Sequence, residues 1–217
     1  MKSAAKNALI FWGGWDGHTP DHSAEIVRGM LAAQGFAVRV EPGTAVLAQG
    51  GLENFDLIVP MITMATIEKD ELAALCAAVR GGVGLGGFHG LMCDAFRNET
   101  EYQFMTGGQW VAHPGNLIDY RVNITAPQDP ITKGISDFDY HSEQYYMHID
   151  PAIEVLATTT FDGTHCDFIK GVTMPVVWKK HYGKGRVFYS ALGHTADEFA
   201  VPPMKSIVER GLNWAAR

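Results

Sequence analysis

The sequence has only three cysteines in 217 residues, Cys76, Cys93 and Cys166, an odd number with no C-x-x-C spacing. A disulfide framework and a thiolate metal knuckle are both excluded on that count, and the thiols are expected to stay reduced. Cations are scarce too: 17 Lys and Arg stand against 24 Asp and Glu, a formal net charge of -7. A stripe of phosphate-neutralising side chains is therefore not expected, which argues against nucleic acid as a partner. Long apolar runs are missing. The run at residues 57–61 is far short of the roughly 20 residues a membrane span needs, and residues 1–17 carry no signal-peptide cleavage pattern. A cytoplasmic protein with no membrane partner is expected. Linkers and internal repeats are absent as well, so residues 1–217 read as a single domain with one substantial core.

What the sequence does hold is 24 Gly and nine His. The apolar run 8–12 stops at Gly13-Gly14, as a strand buried on both faces does. Thr19-Pro20 then supplies an N-cap and a first helical residue. Ile26, Val27, Met30 and Leu31 recur at helical spacing until Gly35. Residues 36–40 and 57–61 read as strands, with Pro60 near the end of the second. A helix is predicted over 68–80, with Leu72, Leu75, Cys76 and Val79 on one face, followed by a glycine-rich strand at 83–88. This alternation predicts an α/β fold with a parallel sheet between helices.

Beyond residue 90 the pattern loosens. Residues 91–105 read as helical, and 118–125 and 154–161 as strands with no clear period between them. The stretches 176–178 and 186–190 flank a hairpin turn at Gly183 and Gly185, and a last helix is predicted over 203–216.

Ligands of an open parallel sheet bind outside the carboxyl ends of the strands. Three predicted strands are followed there by histidine: His18 after the first, His89 after the glycine-rich strand, His194 after the last. Each alone reads as a surface or capping residue. On adjacent strands, His18 or His22 with His89 and His194 would share a pocket and bind a metal or carry protons. Thr19-Pro20 breaks the helix between His18 and His22, so these two are not expected to chelate as a pair. Residues 107–114, with Trp110 and His113, read as a loop lying over the pocket, His113 being either a site residue or a turn stabiliser. Residues 138–146 gather polar and aromatic groups without a regular element, as sugar sites do, and Glu143 is the preferred carboxylate. Cys93 and Cys166 lack activation geometry and read as bystanders.

The segment Gly13-Gly14-Trp15-Asp16-Gly17-His18 carries a resemblance, together with Gly87-Phe88-His89-Gly90, Gly107-Gly108 through His113-Pro114, and Ser142-Glu143-Gln144-Tyr145. Pro175 through Gly193-His194 completes it. In this order they resemble the trehalose-utilisation (ThuA-like) proteins, relatives of the class I glutamine amidotransferase-like fold. The resemblance implies a flavodoxin-like three-layer sandwich with a mostly parallel central sheet. It also implies a role in breakdown of trehalose or a related disaccharide, beside an oxidoreductase that makes keto-sugars. Amidotransferases carry a cysteine nucleophile at the elbow where this chain has His89, so that activity is not expected. Ser142 stands where family members show an acidic neighbour of the glutamate.

The reading that results is a sugar-modifying enzyme of isomerase, lyase or hydrolase type. Its catalytic residues are His89, Glu143 and His194, and its substrate contacts are Trp15, His18, Trp110, His113 and Tyr145. The same chemistry runs either without a metal or with a divalent metal such as zinc, for which His18, His89 and His194 are the candidate ligands, and a homodimer is expected. The alternative is a non-catalytic sugar-binding or regulatory protein on the same fold.

Overall fold

The computed structural model describes residues 6–217. The chain begins with β1 (Lys6–Gly14), α1 (Pro20–Ala33) and β2 (Phe36–Pro42), then β3 (Leu57–Thr63), α2 (Lys69–Gly81) and β4 (Gly84–Phe88). Each lies close to its predicted place. Pro60 does not end its strand: β3 runs three residues further, with every residue buried, and Phe11 of β1 lies opposite the proline. Helix α2 opens on a reciprocal cap between Glu68 and Glu71, which satisfies amides that the first turn leaves free.

The predicted helix over 91–105 is instead two short ones, α3 (His89–Cys93) and α4 (Thr100–Thr106), separated by a turn in which Phe96 has φ 50°. The strand predicted over 118–125 is present as β6 (Leu117–Ile124), while the stretches predicted to be loop or irregular on either side of it hold three more: β5 (Gly108–Ala112), β7 (Phe138–Glu143) and β8 (Tyr146–Ile149). The remaining elements are β9 (Glu154–Thr160), β10 (Thr173–Tyr182), β11 (Gly185–Ser190) and α5 (Pro202–Ala215).

Nine strands form one sheet in the order β2-β1-β3-β4-β11-β10-β9-β6-β7. The first five are parallel, in the flavodoxin-like order with β11 in the fifth place. From β11 onward every neighbour is antiparallel. Helices α1 and α5 touch each other on one face, while α2, α3 and α4 touch on the other, giving three layers. The glycines of β4 follow from this packing. A Cβ on Gly84 would lie 2.1 Å from the Ala215 carbonyl oxygen, and one on Gly86 2.7 Å from the Leu212 side chain. Glycine there lets α5 lie directly on the strand.

Two features bring distant strands to one site. Strand β6 pairs with β9 only through Asn123 and Ile124, so the rest of the β6–β7 hairpin is free to lean away from the sheet. The β5–β8 ribbon forms a separate two-stranded sheet, and β5 touches α3 and α4.

Candidate functional site at the strand ends

Chain direction along the sheet puts the carboxyl ends of β1, β3, β4, β11 and β7 on one edge. Four side chains converge there: His18 from the short turn after β1, His89 from the first residue of α3, His194 after β11, and Glu143 from the last residue of β7. One donor atom of each lies within 4.8 Å of all the others.

His89 sits where a strand turns sharply into a helix, with φ 49°, a conformation that costs a non-glycine residue energy and recurs at functional elbows. Its Nδ1 lies 2.9 Å from the Ala191 carbonyl oxygen, its Nε2 3.0 Å from Glu143 Oε2, and its side chain is fully buried. His194 Nδ1 lies 3.2 Å from His89 Nε2 and 3.3 Å from Glu143 Oε2. His18 turns Nδ1 to the Thr63 hydroxyl at 2.8 Å and Nε2 toward Glu143 Oε2 at 4.0 Å. Gly90 is packed against this group: a Cβ would stand 2.4 Å from His18 Cε1 and 2.9 Å from the Tyr145 hydroxyl oxygen.

Burial works against ionisation of Glu143, but hydrogen bonds from His194 and His89, and then their charges, hold its carboxyl well below the usual range. His18 is pushed the other way. Burial first, then the neighbouring imidazoles His89 and His194, lower its pKa to about 2, so the ring stays neutral. Tyr145 lies over the His89 ring with centroids 4.1 Å apart, and burial with the nearby Glu143 charge keeps its hydroxyl protonated.

His113 enters from the end of the β5 strand, with Nε2 3.6 Å from Glu143 Oε1. Trp110 packs against His113 and Tyr145 and takes the Arg97 guanidinium on its ring. Trp15, 46% exposed, stands edge-on to His18 at the mouth. Trp110 Nε1 and His113 Nδ1 are buried and have no hydrogen-bond partner among the described residues.

All eight residues singled out from the sequence thus lie in or around one cluster. The exposed His22 does not: it sits on α1 beside Asp21, on the far side of the Thr19-Pro20 break. Trp110 and His113 are held by a paired strand and the turn after it, not by a free loop, and Glu143 ends a strand that the sequence pattern did not reveal. Cys93 is fully buried, which raises its thiol well above the usual range, so it is no nucleophile. Cys166 is half-buried against the core.

Glu198 escaped the sequence reading. Its Oε2 accepts from the Tyr140 hydroxyl and from the Gly193 and His194 amides, the latter at 2.9 Å, while Oε1 accepts from Ser142 Oγ at 2.8 Å. It ties the His194 loop to the strand that carries Glu143. The only sequence signal was its place four residues after His194. A separate groove over β6 and β7, lined by Asp119, Tyr120, Arg121, His141 and His165, does not include the four-residue cluster.

A family model described as ThuA, trehalose utilisation, matches residues 7–215. Among solved structures, a ThuA-like protein from Parabacteroides merdae ATCC 43184 is similar at TM-score 0.79 and 18% identity, covering 97% of this chain and 90% of that one. A ThuA-like protein from Bacteroides uniformis ATCC 8492 gives TM-score 0.80 at 18% identity, covering 99% and 94%. A cytoplasmic protein from Salmonella typhimurium LT2 gives 0.69 at 14%, covering 97% and 100%. At these identities the likeness shows the fold alone. Comparison with curated proteins finds no match.

Proposed function

The chain belongs to the ThuA (trehalose utilisation) family, and on that premise we propose that it is an enzyme acting on the keto form of trehalose or a related disaccharide. Family membership supports a role connected with trehalose utilisation; the chemistry below is the reading the site geometry favours. The observation that carries it is the buried, ionised Glu143 held against His89 and His194 at the strand ends.

A keto group acidifies the neighbouring C–H bond. Removing that proton sends the bonding electrons onto the keto oxygen, so the site needs a base and a positive partner for the oxygen. Glu143 is held too acidic to be a strong base itself. It instead stabilises positive charge on the imidazole it touches, as a carboxylate does for the histidine of a hydrolase triad. His194, the most accessible of the three clustered histidines, takes the carbon proton. His89, fully buried with Nδ1 on the Ala191 carbonyl oxygen and Nε2 against Glu143, acts on the developing negative oxygen only through the positive charge it brings as an imidazolium, having no free N–H to donate. From that enediolate, returning the proton at the other carbon gives isomerisation, and loss of a leaving oxygen gives elimination.

The rim suits a sugar. Trp15 offers a ring face at the mouth, and the buried Trp110 Nε1 and His113 Nδ1, unpaired among the described residues, are polar atoms that hydroxyl groups would satisfy. A keto-sugar substrate requires an oxidoreductase upstream in the same pathway, and family likeness implies a homodimer, which light scattering at micromolar concentration checks.

Incubation with 3-keto-trehalose and 3-keto-sucrose beside the parent sugars tests the reading. Turnover of a keto form, reduced about 100-fold or more in a folded His89→Ala variant, is the expected result. Binding without turnover would leave a sugar-binding protein in its place.

A further inference from the structure

We infer that His18 Nε2, His89 Nε2, His194 Nδ1 and Glu143 Oε2 form a site for one divalent transition-metal ion of the zinc class. The Ala191 carbonyl accepts but cannot donate, so His89 Nδ1, 2.9 Å away, carries a hydrogen. A neutral His89 then points a bare Nε2 lone pair at Glu143 Oε2, 3.0 Å away, and at His194 Nδ1, 3.2 Å away. Lone pairs this close repel unless a positive centre lies among them. His18 adds a fourth donor: Nδ1 is engaged by Thr63, and Nε2 faces Glu143 Oε2 at 4.0 Å, beyond hydrogen-bond reach.

The spacing fits an ion. Metal–ligand bonds of about 2.0–2.1 Å in a tetrahedron put ligand atoms about 3.3 Å apart. The separations 3.0, 3.2 and 3.3 Å lie at or just below that value, and the His18 donor stands further off, 4.0 Å from Glu143 Oε2 with all four atoms within 4.8 Å of one another. Three imidazoles and one carboxylate suit zinc, iron, cobalt or nickel and not magnesium or calcium, which prefer oxygen. The surroundings already orient the ligands: a carbonyl fixes the His89 ring and a hydroxyl the His18 ring, as outer partners of metal-bound histidines do. Packing of Gly90 against His18 and Tyr145 holds them in place.

The inference rests on the proposed reaction only for its consequence there: the ion, in place of the His89 imidazolium, would hold the keto oxygen. His194 would then have no free lone pair, and the carbon proton would fall to His113, whose Nε2 lies 3.6 Å from the free Glu143 oxygen.

The test uses the full chain without a polyhistidine tag, stripped with chelator and titrated with zinc and with cobalt(II). Expected are one ion per chain, an intense visible cobalt spectrum of low coordination number, and at least 100-fold weaker binding in His89→Ala and in His194→Ala. His194 is partly exposed, so the second variant is read even where the first misfolds. Substitution of the exposed His22 or His141 should leave binding unchanged. No stoichiometric binding, a pale octahedral cobalt spectrum, or equal binding by the His194 variant would overturn the inference. Metal binding without keto-sugar turnover would leave it standing and remove the proposed reaction; turnover by stripped protein that binds no metal would do the reverse.

Discussion

His18 shows how one buried ring couples the site to stability. Its ordinary pKa of 6.5 falls to about 2 in the folded protein. Between those values the unfolded chain binds a proton that the folded one does not, so stability falls as pH drops below about 6.5, by up to about 1.4 kcal/mol per pH unit, and this contribution is flat above it. Glu143, held below its ordinary 4.5, acts in the same direction at pH below that value. Urea denaturation of metal-stripped protein at pH 7.5, 6.0 and 5.0 checks this. Relative to His18→Gln, the wild type should lose stability as pH falls; a difference that does not change with pH would refute the assignment. At this scale the sequence was informative. His18, His89 and His194 each follow a run of apolar or glycine residues that ends abruptly, and such strand ends are where a parallel sheet gathers its ligands.

Among the elements, the short helical turn carrying Glu198 holds the site together. One carboxylate takes hydrogen bonds from Tyr140 and Ser142 on β7 and from two amides of the His194 loop. Replacing it with alanine strands those donors. We expect Glu198→Ala to lose about 1–3 kcal/mol of stability, with Glu198→Gln losing less because one amide oxygen still accepts. Urea midpoints measure both, and an unchanged midpoint for the alanine variant would show that the latch contributes nothing. The strand ending at Glu143 was not legible in the sequence because Phe138, Tyr140 and Ser142 share a face that packs partly against polar groups of this latch. Burial does alternate from Phe138 to Ser142, but the polar Ser142 and Glu143 at buried positions hide it from the sequence. The strand at Gly108–Ala112 was hidden in the same way: it pairs with β8 across an irregular register, and its glycine and aromatic residues read as a loop.

Across the whole molecule, the parallel half was readable, and in the antiparallel half β6, β9 and the β10–β11 hairpin were readable while β5, β7 and β8 were not. Strands buried on both faces, such as Leu57–Thr63, need continuous apolar runs, and β6, with Ile118, Tyr120, Val122 and Ile124 on one face, shows the alternation of a half-buried strand, whereas β7 places the polar Ser142 and Glu143 at buried positions. Yet the site depends on that second half. In a flat sheet, five spacings of about 4.8 Å would hold β7 about 24 Å from β4; the 3.0 Å contact between Glu143 and His89 requires the hairpin to lean back over the strand ends. No local pattern in the sequence encodes that closure. Glu143 was singled out by its residue type and neighbours, without any indication of which strand would carry it.

On the proposed reaction, this closed cluster removes a proton from the carbon beside a sugar ketone. Proton NMR of 3-keto-trehalose with the protein in deuterium oxide tests it directly, whatever the final product. Enzyme-dependent deuterium uptake at the carbon next to the ketone, abolished in His89→Ala, is the expected result. A product formed with that hydrogen retained, or no uptake above the protein-free rate, would contradict it.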